Sequence, residues 1–275
     1  MLIKKWKACH FHGTKLYFAT SWEEKLEEIG LIQGQRWDRL EPGECVNESR
    51  RVNTYRVTLK DGETVFFKRY TYFNRPLKFF LKPSQAAVEA YSYRTMATIG
   101  IPTTEPLAVG EMRIVGTLCS CFIVTREIPR TLNLIDYALN EWRYLPAAQR
   151  HRASTFIAAL ICRDFQKMHR HNFFHFDPKW RNILISRDET DKSKIQGLWW
   201  IDSPRGRILS DHRHDYGIIY DLTNLGRNAL SFLSRSQRLR FLYAYCGRQT
   251  SRQKIKIIVK NINQRLQRKP VRLYK

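Results

Sequence analysis

Residues 175–185 read HFDPKWRNILI, which sets Asp177 two positions after His175 and Asn182 five positions after Asp177. From Ile183 to Ser186 the chain then turns into a strand-like run. A carboxylate and an amide at this spacing suit phosphoryl transfer. An acceptor hydroxyl needs a carboxylate to orient it and receive its proton, and Asp177 is of that type. A loop turn later an amide oxygen, from Asn182, can help hold the Mg²⁺ that neutralises phosphate charge. Lys179 is placed to reach the transferring phosphoryl group as a point charge. His175 is read as a loop support, because this chemistry depends on positioning and charge neutralisation more than on a histidine base. A loop of ordinary turn residues is the alternative, and one short motif does not exclude it.

Further elements occur in the order such chemistry needs. The strand TVFFKRY carries Lys68, suited to gripping α- and β-phosphates, and the next helix supplies Glu89 to pair with it. CFIVTREI reads as a strand running into a hinge, where backbone groups at Glu127 and Ile128 can hydrogen-bond adenine. LWWIDSPRG ends an apolar strand in Asp202, where a second Mg²⁺ ligand belongs. ATP and Mg²⁺ are therefore the expected cofactors.

These groups must be positioned by regular elements. TYRVTLKDGETVFFKRY places two β-prone runs around Asp61-Gly62, a hairpin signal, and the polar stretch RWDRLEPGECVNESRRV before it reads as loop. Ser84 reads as the N-cap of a helix, QAAVEAYSYRTMATIG, that stops at Gly100 ahead of Pro102. PLAVGEMRIVGTLCSCFIVTREI returns to strand. From about residue 131 the pattern is helical, with Phe156, Leu160, Ile161, Phe165 and Met168 on one expected apolar face. NILIS and GLWWID read as strands joined by a charged turn. The expected organisation is a β-rich first lobe over 1–128, with the phosphate-gripping lysine and the glutamate helix. A helical second lobe over 129–275 carries the catalytic loop and a basic tail.

The chain has 275 residues, 48 Lys+Arg against 25 Asp+Glu, and a formal net charge of +23. Such an excess concerns partners and points to polyanions. The six cysteines form no C-x-x-C pair, and Cys119-x-Cys121, on a strand, reads as packing. No uncharged apolar run approaches the roughly 20 residues that cross a bilayer, so membrane contact is expected to be peripheral. The basic aromatic stretch RPLKFFLK and the C-terminal SRQKIKIIVKNINQRLQRKPVRLYK suit an anionic lipid surface. The alternative for the tail packs its isoleucines on the second lobe.

Several blocks are similar to those of the lipopolysaccharide kinase family, bacterial enzymes that phosphorylate heptose or Kdo sugars of the lipid A–core. KPSQAAVEAYSYRTMATIGIPTTEPLAVGE, FIVTREI, HFDPKWRNILI, WWIDSPRGRI and YDLTNLGRNAL carry the resemblance, over roughly residues 45 to 245. It implies an α+β, bilobal protein-kinase-like fold with a β-rich N-lobe and an α-helical C-lobe. It further implies transfer of a γ-phosphoryl group from ATP with Mg²⁺, a lipopolysaccharide core or lipid A–core acceptor, and peripheral attachment to the cytoplasmic face of the anionic inner membrane. Three departures stand out. No G-x-G-x-x-G precedes Lys68, and Ser49, Arg50 and Arg51 are the candidate phosphate contacts instead. The D-F-G triplet is Asp202-Ser203-Pro204. Phe176 stands where many protein kinases have an arginine that pairs with a phosphorylated loop. Asp221, opening the DLTNLG helix, is expected to brace the catalytic loop. The rival readings are a kinase for a small molecule or a protein, a non-catalytic kinase-shaped binder, and a nucleic-acid binder, for which no readout motif is present.

Overall fold

The structure, a computed structural model, describes residues 10–32, 35–72, 77–188, 194–247 and 249–268. Two compact units emerge, one of residues 1–94 and 104–128, the other of residues 95–103 and 129–275.

The first unit is built on a six-stranded antiparallel sheet. Its strands are β1 (Gly13–Phe18), β2 (Glu44–Glu48), β3 (Val52–Thr58), β4 (Thr64–Thr71), β5 (Pro106–Ile114) and β6 (Thr117–Arg126), ordered β1-β5-β6-β4-β3-β2. Alternation along β4 buries Val65 and Phe67 on one face and turns Phe66 and Lys68 to the other. The first face packs Phe67, Phe122 and Trp37, whose ring meets Phe122 edge-on at 4.9 Å. Helix α1 (Glu23–Ile29) buries Leu26 and Ile29 there. The β3–β4 hairpin turns at Gly62, with φ of 84°, a value glycine reaches without steric cost. Within the stretch expected as loop, β2 is a strand. All five of its residues are exposed, so this edge strand carries no hydrophobic pattern to announce it.

Helix α2 (Gln85–Thr98) begins where the Ser84 hydroxyl accepts the Ala87 amide at 3.1 Å. Its end is a Schellman closure: Gly100 donates to the Ala97 carbonyl and Ile101 to that of Met96. Cys121 of the C-x-C is buried, and burial pushes its thiol up to about 12, the behaviour of a packing residue. Among the described residues no group of His, Cys, Asp and Glu forms a metal cluster.

In the second unit a three-stranded sheet, ordered β10-β9-β7, joins β7 (Thr131–Asn133), β9 (Ile183–Arg187) and β10 (Ile195–Trp200). A two-stranded pair joins β8 (Phe173–Phe174) to β11 (Arg207–Ile208). The helices are α3 (Leu134–Asn140), α4 (Ala147–Arg170), α5 (His214–Phe232), α6 (Arg235–Cys246) and α7 (Arg252–Gln267). Helix α4 buries Ile157, Ile161, Phe165 and Met168, spaced by four, four and three. Phe156, expected on that face, is 44% exposed, because it sits one residue off the buried row. Asp221 lies midway along α5 instead of opening a helix. In the tail, α7 packs on α5 and α6, with Ile255 buried and Ile258, Val259 and Ile262 partly covered, while Lys254, Lys256 and Lys260 stay outside. Residues 269–275 of the tail and Arg75-Pro76 of the basic aromatic stretch lie outside the described residues.

Candidate active site

In the first unit the face of β4 opposite the core meets α2. Lys68 Nζ lies 3.1 and 3.2 Å from the two carboxylate oxygens of Glu89. Glu89 is buried and also accepts the hydroxyls of Tyr70 and Tyr93, each at 2.6 Å. Three donors on one buried carboxylate offset its desolvation, so Glu89 anchors Lys68 firmly. The two tyrosines were not apparent as site residues; position 70 shares the strand face of Lys68, and position 93 lies one helical turn beyond Glu89.

The turn joining β2 to β3, Ser49–Arg51, stands in the place of a glycine-rich loop and is exposed. The Ser49 hydroxyl is bonded to the Val52 carbonyl at 3.0 Å, which shapes the turn. Arg50 and Arg51 extend outward. Glu127 donates its amide to the Thr64 carbonyl and receives Arg56 through two bonds of 2.9 Å. Its carbonyl is therefore the group suited to a base edge, with Ile128 following it at the end of the unit.

In the second unit the catalytic-loop candidates converge. The Lys179 ammonium rests on the Asp177 carboxylate, 2.8 Å from Oδ1 and 3.0 Å from Oδ2. Buried Asn182 donates its amide nitrogen to the Asp177 backbone carbonyl at 2.9 Å. Its nitrogen also lies 3.5 Å from the carbonyl of Asp202. The backbone ties the two segments again, since Ile201 donates to the Asn182 carbonyl at 3.0 Å. Asp202 itself has φ of +58°, in the sparsely populated left-handed region, as does Phe176 at +61°.

With its nitrogen on Asp177, Asn182 has an amide oxygen of the donor type, and Asp202, whose backbone lies beside it, carries a carboxylate. Oxygen donors of this kind fit a hard cation that takes its remaining ligands from phosphates and water, as Mg²⁺ does. Asp177, Lys179, Asn182 and Asp202 thus come together, as Lys68 and Glu89 do.

A buried scaffold holds this loop. Asp221 is fully buried and accepts the amides of His175 at 2.9 Å and Phe176 at 2.8 Å. On the same face of α5, Asn224 donates to the Phe176 carbonyl at 3.3 Å and Asn228 accepts the Trp180 amide at 3.2 Å. Positions 221, 224 and 228 follow the helical period, a signal legible once the helix is known. Ser203, also buried, donates to the His175 carbonyl at 3.1 Å. His175 accepts the Asp177 amide at Nδ1, 3.3 Å away. Burial pushes its imidazole below its ordinary value of 6.5, against the pull of the Asp221, Asp177 and Asp202 carboxylates. It stays neutral and structural.

The sheet-then-helix architecture and this loop define a protein-kinase-like fold. A solved structure described as WaaP in complex with acyl carrier protein matches with a TM-score of 0.64 and 21% identity, over 92% of this chain and 98% of that one. A Rio2 kinase complex from Chaetomium thermophilum aligns with a TM-score of 0.48 and 16% identity, over 82% of this chain and 71% of that one. No curated protein matches the chain. The chain belongs to the lipopolysaccharide kinase (Kdo/WaaP) family, whose model matches residues 39–245.

Proposed function

We propose that the chain moves the γ-phosphoryl group of ATP to a hydroxyl of a heptose or Kdo sugar in the lipopolysaccharide inner core. The observation that carries this reading is the convergence of Asp177, Lys179, Asn182 and Asp202, fixed from behind by buried Asp221. Asp177 orients the sugar hydroxyl and takes its proton as the new oxygen–phosphorus bond forms and ADP departs. Lys179, poised on Asp177, brings positive charge to the transferring group. Asn182 Oδ1 and Asp202 hold Mg²⁺, which when bound neutralises phosphate charge. Lys68, fixed by Glu89, grips the α- and β-phosphates, and Arg50 and Arg51 serve where a glycine loop is lacking. The Glu127 carbonyl and Ile128 receive adenine.

The acceptor is a lipid glycoconjugate, and a cytoplasmic chain attached peripherally to the inner membrane would meet it there. The support is the net charge of +23 together with exposed Leu77, Phe80, Leu81 and Val115. Buried Arg113 holds that region by donating to the carbonyls of Phe79, Lys82 and Gly116. Among the described residues no helix is long and apolar enough to cross a membrane.

A protein partner is a further part of the reading, since the similar WaaP structure contains acyl carrier protein. What favours it is an apolar cavity of about 660 Å³ within the second unit, lined by Tyr137, Ile161, Leu225, Leu242 and Ile262 among others. An acyl chain fits such a lining.

The test is to incubate the purified chain with ATP, Mg²⁺ and truncated core oligosaccharides and to locate the added phosphate by mass spectrometry. Phosphate on a heptose or Kdo hydroxyl is expected. ATP consumption with no sugar product would overturn the reading.

A further inference from the structure

Phe176, next to Asp177, begins an array of rings and guanidiniums that the phosphoryl-transfer reading leaves unused. The Arg207 guanidinium lies 4.4 Å from the Phe176 ring centre. Phe176 meets Tyr220 at 4.9 Å, and Tyr220 meets Tyr216 at 6.0 Å. Arg265, from α7, sits 4.5 Å over Tyr220 and 5.5 Å over Tyr216, and Arg213 lies 5.5 Å over Tyr216. Each cation is placed by a different element: Arg207 by the β8–β11 pair, Arg213 just before α5, and Arg265 by α7 packed on α5.

Among the described residues, none of these three guanidiniums meets a carboxylate or donates a hydrogen bond from its side chain. The acids nearby are otherwise disposed: Asp211 accepts from Asn172 at 2.7 Å, and the Asp215 side chain is 93% exposed. Three like charges on one small array repel one another, and exposed cation–π contacts offset that only modestly. A guanidinium held beside a ring and without a carboxylate partner keeps N–H groups to donate to a planar or tetrahedral oxyanion. Tyr216 is 42% exposed, so the outer end of the array is open to solvent and to a ligand.

We infer that Arg207, Arg213 and Arg265, on the Phe176–Tyr220–Tyr216 ladder, form an acceptor subsite that reads an anionic group, a carboxylate or a phosphate ester, on the sugar whose hydroxyl Asp177 orients. The inference rests on the sugar-kinase reading for the identity of its ligand. The strained φ of Phe176 then has a use: it aims the first ring of the ladder while the next residue presents the catalytic carboxylate.

The test measures binding calorimetrically, without nucleotide, so that it stands apart from turnover. The probes are a core oligosaccharide bearing its native carboxylates and phosphates, the same with carboxyls reduced to alcohols, the same after phosphatase, and the doubly neutralised form. Arg207→Gln, Arg213→Gln and Arg265→Gln should each weaken binding of the native probe about tenfold, with Mg·ATP affinity as the folding control. The corresponding Lys variants should fall between, since they keep charge and lose the planar fork. Whichever neutralised probe binds the wild type as weakly as the Gln variants bind the native one identifies the group. Variants that bind every probe like the wild type, or a wild type that binds the doubly neutralised probe as tightly as the native one, would overturn the subsite. Binding of the native probe with no phosphate transfer would count against the kinase reading and leave the subsite standing. Transfer with unaltered acceptor binding in the variants would do the reverse.

Discussion

Asp221 Oδ1 accepts the amide proton of Phe176 at 2.8 Å, across a separation of 45 residues in sequence. Phe176 has φ of +61°, a conformation that costs of order 1–3 kcal/mol for a residue with a side chain. The same carboxylate takes the His175 amide, so one buried group over-determines the backbone just ahead of Asp177. Asp221→Ala strands two buried amides, each costing about 1–3 kcal/mol. Chemical denaturation should show roughly 3 kcal/mol or more of lost stability, and phosphoryl transfer should fall with it. A variant as stable as the wild type would show that α5 does not hold the loop.

Lys68 and Glu89 should act on nucleotide alone. Lys68→Ala and Glu89→Gln should both raise KM for Mg·ATP, by about tenfold or more, because charge-assisted bonds contribute about 1.5–3 kcal/mol each. Acceptor binding should be unaltered in both. Steady-state kinetics with each substrate varied in turn distinguishes this from a general loss of structure, which would shift both constants.

The His175 imidazole titrates below its ordinary 6.5 in the folded chain, so folding favours the neutral ring. Below pH 6.5 the unfolded chain binds a proton that the folded chain refuses. Stability from this group is therefore full above pH 6.5 and is lost as pH falls through 6.5 toward the lower folded value. Urea midpoints between pH 7.5 and 5 should drop for the wild type, and less steeply for His175→Gln. Equal slopes would remove His175 from the acid response.

The buried row of α4 makes a separate demand. Phe165→Ala should cost about 3–5 kcal/mol, as deletions in a packed core do. Phe156→Ser, at an exposed position, should stay within about 0.5 kcal/mol. Thermal unfolding of the two variants side by side decides it. A larger loss at Phe156 would restore the face expected from periodicity.

Legibility in the sequence followed the range over which each signal acts. The β3–β4 hairpin, the Ser84 cap and the Gly100 stop are local, and each was readable from a few residues. The closeness of His175, Asp177 and Asn182 was readable for the same reason, since they lie within eight residues of one another. Strand β2 was not, because an all-exposed edge strand lacks the alternation that marks a half-buried one. Phe156 misled because one apolar residue beside the true row differs from it by only a hundred degrees of helical rotation. Asn224, Asn228 and Ser203 support the loop through contacts 28 to 48 residues apart in sequence, which no local pattern encodes. The tail's composition suits either a lipid surface or a packed amphipathic helix, and the fold places its apolar side on α5 and α6.

The central claim is that the carboxylate at position 177 orients and deprotonates the acceptor alcohol. Asp177→Asn keeps the size of the side chain and removes the base. The most direct measurement is the single-turnover rate of phosphate transfer to core oligosaccharide, taken beside Mg·ATP affinity for both proteins. The account predicts a fall of about a hundredfold or more in rate with nucleotide affinity essentially unaltered. A variant that transfers phosphate at near wild-type rate would contradict it.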